Sequence, residues 1–427
     1  MITNRENHFK LEVESFLKRR FWVISLAFLG GSLLSFLFVF KVFAQPRQFK
    51  GDFYAAMYNP LWWDGTGLFY GPIFVFERWM VNAFPKLITI TFFSILGLVI
   101  IFVTLFVALK TVHANKIFVV FGLIVWCTNS YMYYSFSVVA NPEILELLFL
   151  IVMWWAMARK FIVAAYIFFS LAVITKLVPI VLLPMMLLNS SPYGLLALVL
   201  IVIFSILLVA VGQDQSVSSI LKDLLPAITN PRPQSEQFLG LSNAISRVTG
   251  SVSPAEFERV TFLSLAVLAI IYFLVIFMAY RFHKLLKGSN YEVSVAYCFA
   301  LFMCLIPTMH MTQTHRHTFL FLAPIWIALR FITQNDPNLK RSNFFSRIFF
   351  GLFLAYSLLP VYFLDVFPVS ELFGVYLGES SSSLLMLTEP IWTNFALLVA
   401  ISCYGCRVIR DVSLESNRET NHLLDRK

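Results

Sequence analysis

Residues 161–189, FIVAAYIFFSLAVITKLVPIVLLPMMLLN, decide how this chain is arranged. The stretch fits one long membrane-spanning helix interrupted by Pro179 and Pro184, or two short helices hinged at Lys176. One crossing or two reverses the side of the membrane on which every later loop lies. The distribution of basic residues along the chain can therefore separate the two alternatives.

Two basic loops favour the two-helix alternative. With two crossings and a cytoplasmic N-terminus, RFHKLLK (281–287) and NLKRSNFFSR (338–347) both lie inside, as the positive-inside rule requires. With one crossing, both would lie outside. Each of the two short segments is brief for a full crossing, so we expect broken or partly re-entrant helices that line a protein cavity.

The composition extends this interpretation to the whole chain. Of 427 residues, 59% are hydrophobic and only 13% are charged, which is too little polar surface for a soluble protein of this length. The sequence predicts an all-α polytopic membrane protein with about 12 transmembrane helices. The apolar segments are 21–43, 86–109, 117–136, 142–158, 161–175, 177–189, 193–211, 260–280, 291–309, 317–332, 347–367 and 391–409.

The loops between these segments predict which side carries function. The inner loops are short and basic, whereas the long loops lie outside, so we expect the functional site to face outward. The expected organisation is a cytoplasmic basic N-terminus (1–20), a single multi-span domain (21–409) that begins with an uncleaved span, and a cytoplasmic tail (410–427). The outer loops of that domain are 44–85, 212–259, 310–317 and 368–390.

Charge and cysteine content exclude several function classes. The net charge of +9 resides mainly in loops that flank apolar runs, so it reports topology and not nucleic-acid binding. Cys403 and Cys406 form a C-x-x-C without a second ligand pair, and we expect them to be packing residues. The chain has neither a P-loop nor a dinucleotide fingerprint, and no cofactor is expected.

The first outer loop, GDFYAAMYNPLWWDGTGLFYGP (51–72), is rich in groups that bind sugars. Its carboxylates, Asp52 and Asp64, can accept hydrogen bonds from hydroxyls. Flat apolar faces come from Tyr54, Trp62, Trp63 and Tyr70. Interfacial aromatic residues are also ordinary membrane-belt residues, and loop carboxylates are often merely solvated, so both interpretations remain open.

Several short motifs, taken in order, carry a family resemblance. They are YAA and GTGLFYGP in the first loop, then ITKLVP, SEQFLGLSNAISR and HRHTFLFLAP. This order, from about residue 50 to 330, resembles glycosyltransferase family 87, whose members have the GT-C fold. The resemblance implies inverting transfer of a sugar, with mannose expected, from a polyprenyl-phosphate donor. The acceptor would be a lipid or glycan at the outer face of a bacterial inner membrane.

The resemblance assigns the role of the base, and the chemistry that it implies suggests candidates for the other roles. The aspartate of the first outer loop, the family's general base, maps onto Asp52, with Asp64 as the alternative. Lys176 is the first candidate for the donor phosphate, because a lysine at membrane depth is costly unless paired or useful, although a snorkelling helix-end lysine is equally compatible. Further candidates are Arg247, Arg316 and His317 for the phosphate, and Gln237 and Asn243 for sugar hydroxyls.

Three other interpretations compete with this one. His310, His315 and His317 could chelate a metal, but no carboxylate or cysteine is near them in sequence, so no metal site is expected. A chain with about twelve spans could also be a transporter or flippase of lipid-linked saccharides. Such transporters often consist of two repeated halves with corresponding helices broken by Gly or Pro, and this sequence shows no such repeat. Finally, it could be a non-catalytic scaffold of an envelope-assembly complex.

Overall fold

In a computed structural model of the chain, the described residues fall into six continuous stretches. These are 143–175, 178–189, 191–213, 254–306, 322–358 and 390–424, together with isolated positions between 83 and 111 and between 218 and 245. Throughout these stretches the regular structure is helical, and no strand occurs in them. The helical class predicted from composition is therefore confirmed.

The helices follow the apolar segments closely in the middle of the chain. They are α1 (Glu143–Ala158), α2 (Ile162–Thr175), a 3-10 turn (Val178–Leu182), α3 (Leu183–Leu188), α4 (Pro192–Gln213), α5 (Pro254–Leu286), α6 (Tyr291–Met303), α7 (Leu322–Gln334), α8 (Leu339–Leu358) and α9 (Pro390–Leu424). Continuous apolar composition, with few internal helix breakers, explains why these segments are helical.

The 161–189 stretch forms two segments and not one. The Tyr166 hydroxyl in α2 donates a hydrogen bond to the Met186 carbonyl in α3 at 2.9 Å. In one continuous helix these residues would be about 30 Å apart. The chain therefore reverses between Thr175 and Val178, and the two-segment alternative favoured by the basic loops is the one observed.

Most turns and charged contacts gather at one end of the bundle, which we call the basic end. It contains the turns at 158–162, 286–291 and 334–339, together with the end of α3 at Leu188 and the start of α4 at Pro192. The Lys160 ammonium lies 5.3 Å from the centre of the Tyr291 ring, which joins the first of these turns to the second. Consecutive helices joined by such short turns run antiparallel, so their other ends lie together at the opposite end of the bundle.

Two helix boundaries differ most from the predicted ones. α8 begins at Leu339, inside the predicted basic loop, because the Asn338 side-chain oxygen accepts a hydrogen bond from the Arg341 backbone N–H at 3.0 Å and caps the helix. α9 continues to Leu424, well beyond the apolar segment that ends at 409. The predicted cytoplasmic tail is thus largely a helical extension, a conformation that hydrophobicity alone does not reveal.

α5 differs from a buried core helix in its surroundings. By length and apolar composition it could cross a membrane. Among the helices that the structure describes, no other meets both criteria. Only 22% of its most apolar window is buried. Phe262, Phe273 and Phe277 are all more than half exposed. The apolar surface of α5 is therefore directed away from the rest of the bundle.

Candidate functional site

None of the predicted site residues belongs to the described part of the chain. The residues that lie outside it are Asp52, Tyr54, Trp62, Trp63, Asp64, Tyr70, Lys176, Gln237, Asn243, Arg247, Arg316 and His317. Their assignments stay predictions. For the residues of the first outer loop the structure describes no bordering helix, but for Lys176, Arg316 and His317 it gives the position of the helix ends on either side.

The helix ends that border Lys176, Arg316 and His317 lie at the end of the bundle opposite the basic end, and Leu241 and Ile245, on either side of Asn243, pack there against Leu268 and Phe395. Lys176 falls in sequence between Thr175 and Val178, where α2 and the 3-10 turn meet. Gln237, Asn243 and Arg247 precede the start of α5, and Arg316 and His317 lie between the end of α6 and the start of α7. We call this the loop end of the bundle. Segments far apart in sequence are thus anchored at one common end.

A contact between α5 and α6 gives the level at which α6 ends. The Tyr272 and Phe302 rings lie 6.3 Å apart, so the last turn of α6 is level with the middle of α5. Val260 is about 18 Å along α5 from Tyr272 towards the loop end. α5 therefore extends well past the end of α6, and the segment that leads to Arg316 begins partway along α5.

The 3-10 turn that follows the chain reversal reaches the same level. The Tyr272 hydroxyl donates a hydrogen bond to the Val181 carbonyl at 3.3 Å. A second contact fixes the start of α9 here, since the Asn394 side-chain amide donates to the Cys304 carbonyl just beyond α6. The ends of three helical segments thus meet beside the middle of α5.

One buried carboxylate near the loop end was not singled out in the sequence. Glu146 lies in the first turn of α1 and is fully buried. The sequence does contain a signal for it, because a glutamate within the apolar run EILELLFLIVMWW is unusual in a helix that is otherwise apolar. An ionisable residue buried among apolar helices is a candidate functional residue, and Glu146 joins those predicted from the sequence.

The charged residues at the basic end serve packing. Arg341 donates from Nε to Asp336 Oδ2 at 2.9 Å and from Nη1 to Asp411 Oδ2 at 2.8 Å. The Tyr404 hydroxyl donates to the same Asp336 oxygen at 3.0 Å. Burial alone would lower the pKa of Arg341, but the hydrogen bond and the charge of Asp336 outweigh it and raise that pKa. This cluster fixes α9 against the α7–α8 connection.

The C-x-x-C motif has a different environment from the expected one. Cys403 and Cys406 are exposed and line a groove between α5 and α9, where Cys406 Sγ lies 3.8 Å from Met278 Sδ. They are not interior packing residues. In the stretches that the structure describes, no group of three histidine, cysteine or acidic side chains could hold a metal ion, and the three histidines of 310–317 are outside those stretches.

Comparison with known proteins decides the family. The model of glycosyltransferase family 87 matches residues 68–308, which is more than half of the chain. The chain belongs to glycosyltransferase family 87. It is therefore a glycosyltransferase of a GT-C-type family and acts on a sugar donor and an acceptor. Neither the curated proteins nor the solved structures gave a significant match.

The matched region covers only some of the predicted site. It contains Tyr70, Lys176 and the candidate residues of the 212–259 loop. It begins after Asp52 and Asp64 and ends before Arg316. It is also narrower than the span over which the motifs resemble the family. Family membership thus supports the enzyme class and leaves the identity of the base to experiment.

Proposed function

We propose that this glycosyltransferase is a multi-pass membrane enzyme that transfers mannose from a polyprenyl-phosphate donor to a lipid- or glycan-linked acceptor. The transfer inverts the anomeric carbon and takes place at the outer face of a bacterial inner membrane. The observation that carries the proposal is the family match over 68–308, which includes the long apolar helix α5. A donor held in the bilayer suits an enzyme whose helices present apolar surface outward.

The dimensions of α5 support its insertion in a bilayer. Its segment 260–280 contains no charged residue and lies between Arg259 and Arg281. At the helical rise this segment is about 31 Å long, which matches the ~30 Å hydrocarbon thickness of a bilayer. The exposed phenylalanines of α5 would then contact lipid tails. The rest of the proposed fold, about twelve spans, follows from the apolar segments.

The short hairpin of α2, the 3-10 turn and α3 fits this arrangement. α2 is only about 21 Å long and the chain then returns towards the basic end, so this pair does not need to cross the bilayer completely. A re-entrant pair, like two full crossings, returns the chain to the side of the membrane from which it entered. The proposed orientation, with the basic end in the cytoplasm, therefore holds for either form.

The proposed active site lies at the loop end. Asp52 removes the proton from the acceptor hydroxyl, and Asp64 is the alternative base. Lys176 follows the tip of α2, where its ammonium would neutralise the donor phosphate together with Arg247, Arg316 and His317. The aromatic residues of the first loop, with Gln237 and Asn243, would hold the sugar. The shared location of the helix ends that border Lys176 and Arg316 supports the phosphate-binding part of this assembly.

The membership in a transferase family favours catalysis over transport or scaffolding. A flippase of lipid-linked saccharides would bind the same class of lipid but form no glycosidic bond. A scaffold would need no carboxylate base. Both alternatives are therefore distinguished from the proposal by the formation of a glycosylated product that depends on Asp52.

The test is sugar transfer by purified protein in liposomes. Radiolabelled polyprenyl-phosphate mannose is the donor, and a membrane-lipid extract is the acceptor source. We expect Asp52→Asn to lower turnover by a factor of about 100 or more, the typical contribution of a general base. Asp64→Asn should retain activity. Lys176→Ala should weaken use of the donor, whereas the matched control Lys284→Ala, an exposed lysine at the basic end, should not.

Each other result has a defined meaning. Loss of activity in Asp64→Asn alone would keep the enzyme class and move the base to Asp64. Activity with another polyprenyl-phosphate sugar but not with mannose would correct the donor. Absence of transfer from every such donor, in protein that is folded and inserted, would overturn the proposed function.

A further inference from the structure

A groove runs between α5 and α9, from the level of Ile271 towards the basic end. Its volume is about 680 Å³, and most of its lining is apolar, from Ile271 and Val275 on α5 and from Leu398 and Val399 on α9. Val399 is 59% exposed, as is Leu274 on the facing helix, so the rim of the groove is open sideways. An open apolar groove at bilayer depth suits a hydrocarbon chain.

The groove changes character at its basic end. Arg407 and Arg410, both exposed, line it there, one helical turn beyond the exposed thiols. Arg410 Nε lies 3.5 Å from Asp411 Oδ1, but Asp411 is also held by Arg341 at 2.8 Å. Among the described residues no carboxylate pairs with Arg407. The mouth of the groove therefore carries net positive charge.

The apolar part of the groove has the length of one leaflet. From Phe395 to Cys406 along α9 the distance is about 16 Å, roughly half of the hydrocarbon thickness. The two arginines follow directly, at the level of Arg281, where the charge-free stretch of α5 ends. An acyl chain lying in the groove would thus bring a headgroup phosphate to the guanidinium groups, which are well suited to bind phosphate.

We propose that the α5–α9 groove binds an anionic phospholipid of the cytoplasmic leaflet. One acyl chain lies between the helices, and the headgroup phosphate is bound by Arg407 and Arg410. The proposal rests on the membrane insertion and the orientation given under the proposed function. It does not depend on catalysis, the donor or Asp52.

The location favours a bilayer phospholipid over the polyprenyl-phosphate donor. Arg407 and Arg410 lie at the basic end, whereas the segments that carry the proposed donor site are anchored at the loop end. A lipid phosphate bound by these arginines belongs to the other leaflet. Juxtamembrane arginines also attract anionic lipids, which are enriched on the cytoplasmic side.

The test measures retained lipid by native mass spectrometry of the full-length protein. Micelles contain either phosphatidylglycerol or phosphatidylcholine at equal concentration. We expect the wild-type protein to retain phosphatidylglycerol. The double variant Arg407→Gln/Arg410→Gln should need a phosphatidylglycerol concentration about tenfold higher or more to retain the same amount of lipid. The matched control Lys340→Gln/Arg347→Gln removes two exposed basic residues on α8 that do not line the groove, and should retain lipid as the wild type does.

A second variant tests the apolar part of the site without removing charge. Ser402 lines the groove and is half-buried, so Ser402→Phe would occupy the space of the acyl chain. It should reduce phosphatidylglycerol retention while the two arginines remain. Asp52→Asn should leave retention unchanged, which separates failure of this proposal from failure of the proposed function.

Thiol labelling locates the bound lipid. Cys403 and Cys406 are exposed in the groove, so maleimide should label them in detergent and more slowly once phosphatidylglycerol is added. The variant Cys403→Ser/Cys406→Ser gives the background from the other cysteines. The proposal would be overturned if the arginine double variant retained as much phosphatidylglycerol as the wild type, or if the wild type retained phosphatidylcholine equally well. It would also be overturned if added phosphatidylglycerol left the labelling rate unchanged, or if polyprenyl phosphate displaced the bound phosphatidylglycerol more effectively than phosphatidylglycerol itself.

Discussion

A single glycine determines how closely α9 approaches α6. Gly405 faces Tyr297, and a Cβ atom added at this position would overlap the Tyr297 hydroxyl and the ring carbon that carries it. Tyr297 is fully buried and stacks on Phe282 with ring centres 3.8 Å apart, so its ring has little room to move. Glycine at 405 is thus a steric requirement. Small residues have the same role at helix contacts in membrane proteins.

Gly405→Ala should therefore destabilise the fold. The ring and the helix would have to separate, and overpacking of this kind costs about 1–3 kcal/mol. The control is Gly351→Ala in α8, where an added Cβ meets no atom within 4 Å and should leave stability equal or slightly higher. Thermal unfolding of both variants in detergent measures the difference. Equal melting temperatures would show that the helices are not in close contact at Gly405.

At the scale of helices, the buried ion pairs at the basic end fix α9 in place. Arg341 on α8 bridges Asp336 in the α7–α8 connection and Asp411 on α9. The side chains of Arg341 and Asp336 are 5% and 0% exposed, so removal of either partner leaves a buried charge without its counter-ion. The energetic consequence of such a loss is much larger than for a surface pair.

We expect Arg341→Gln to lower the free energy of unfolding by about 3–5 kcal/mol. Because the pKa of Arg341 is raised in the folded protein, its stabilising effect is complete at physiological pH and is lost only when the pH rises beyond the pKa of arginine. Between about pH 6 and 9, the contribution of Arg341 to the free energy of unfolding should therefore stay constant.

The matched control for this variant is Arg410→Gln. Arg410 is 68% exposed and its contact with Asp411 is 3.5 Å long, so its removal should leave the melting temperature nearly unchanged. Chemical or thermal unfolding in detergent compares the two variants at one pH. Similar effects of Arg341→Gln and Arg410→Gln would contradict the central role of Arg341.

The helices also show what hydrophobicity and charge can predict. The chain reversal in 161–189 was predicted because basic loops record topology, and the cost of burying their charges makes this signal strong. The start of α8 was not predicted because a side-chain cap at Asn338 sets it, and the extension of α9 was not predicted because it lies beyond the apolar segment. The site residues were predicted from short motifs in loops and at helix ends, where neither periodicity nor burial constrains position. Glu146 was missed because none of the motifs that carry the family resemblance includes its helix.

At the scale of the whole molecule, the two ends of the bundle differ in chemistry. The basic end carries the charged cluster of Arg341 and the groove arginines, while the loop end borders the segments that carry Lys176, Arg316 and His317. Basic residues are retained on the cytoplasmic side during insertion. The basic end should therefore face the cytoplasm, and the proposed catalysis should take place on the opposite side of the membrane.

Cysteine accessibility in intact bacterial cells tests this orientation. In a background without the native cysteines, Gly288→Cys places a thiol in the exposed turn after α5, and Ser251→Cys places one before α5. If α5 crosses the bilayer as proposed, a membrane-impermeant maleimide should label Ser251→Cys in intact cells and should label Gly288→Cys only after permeabilisation. The opposite pattern would invert the proposed topology and put the loop end in the cytoplasm. Labelling of both in intact cells would mean that α5 does not cross.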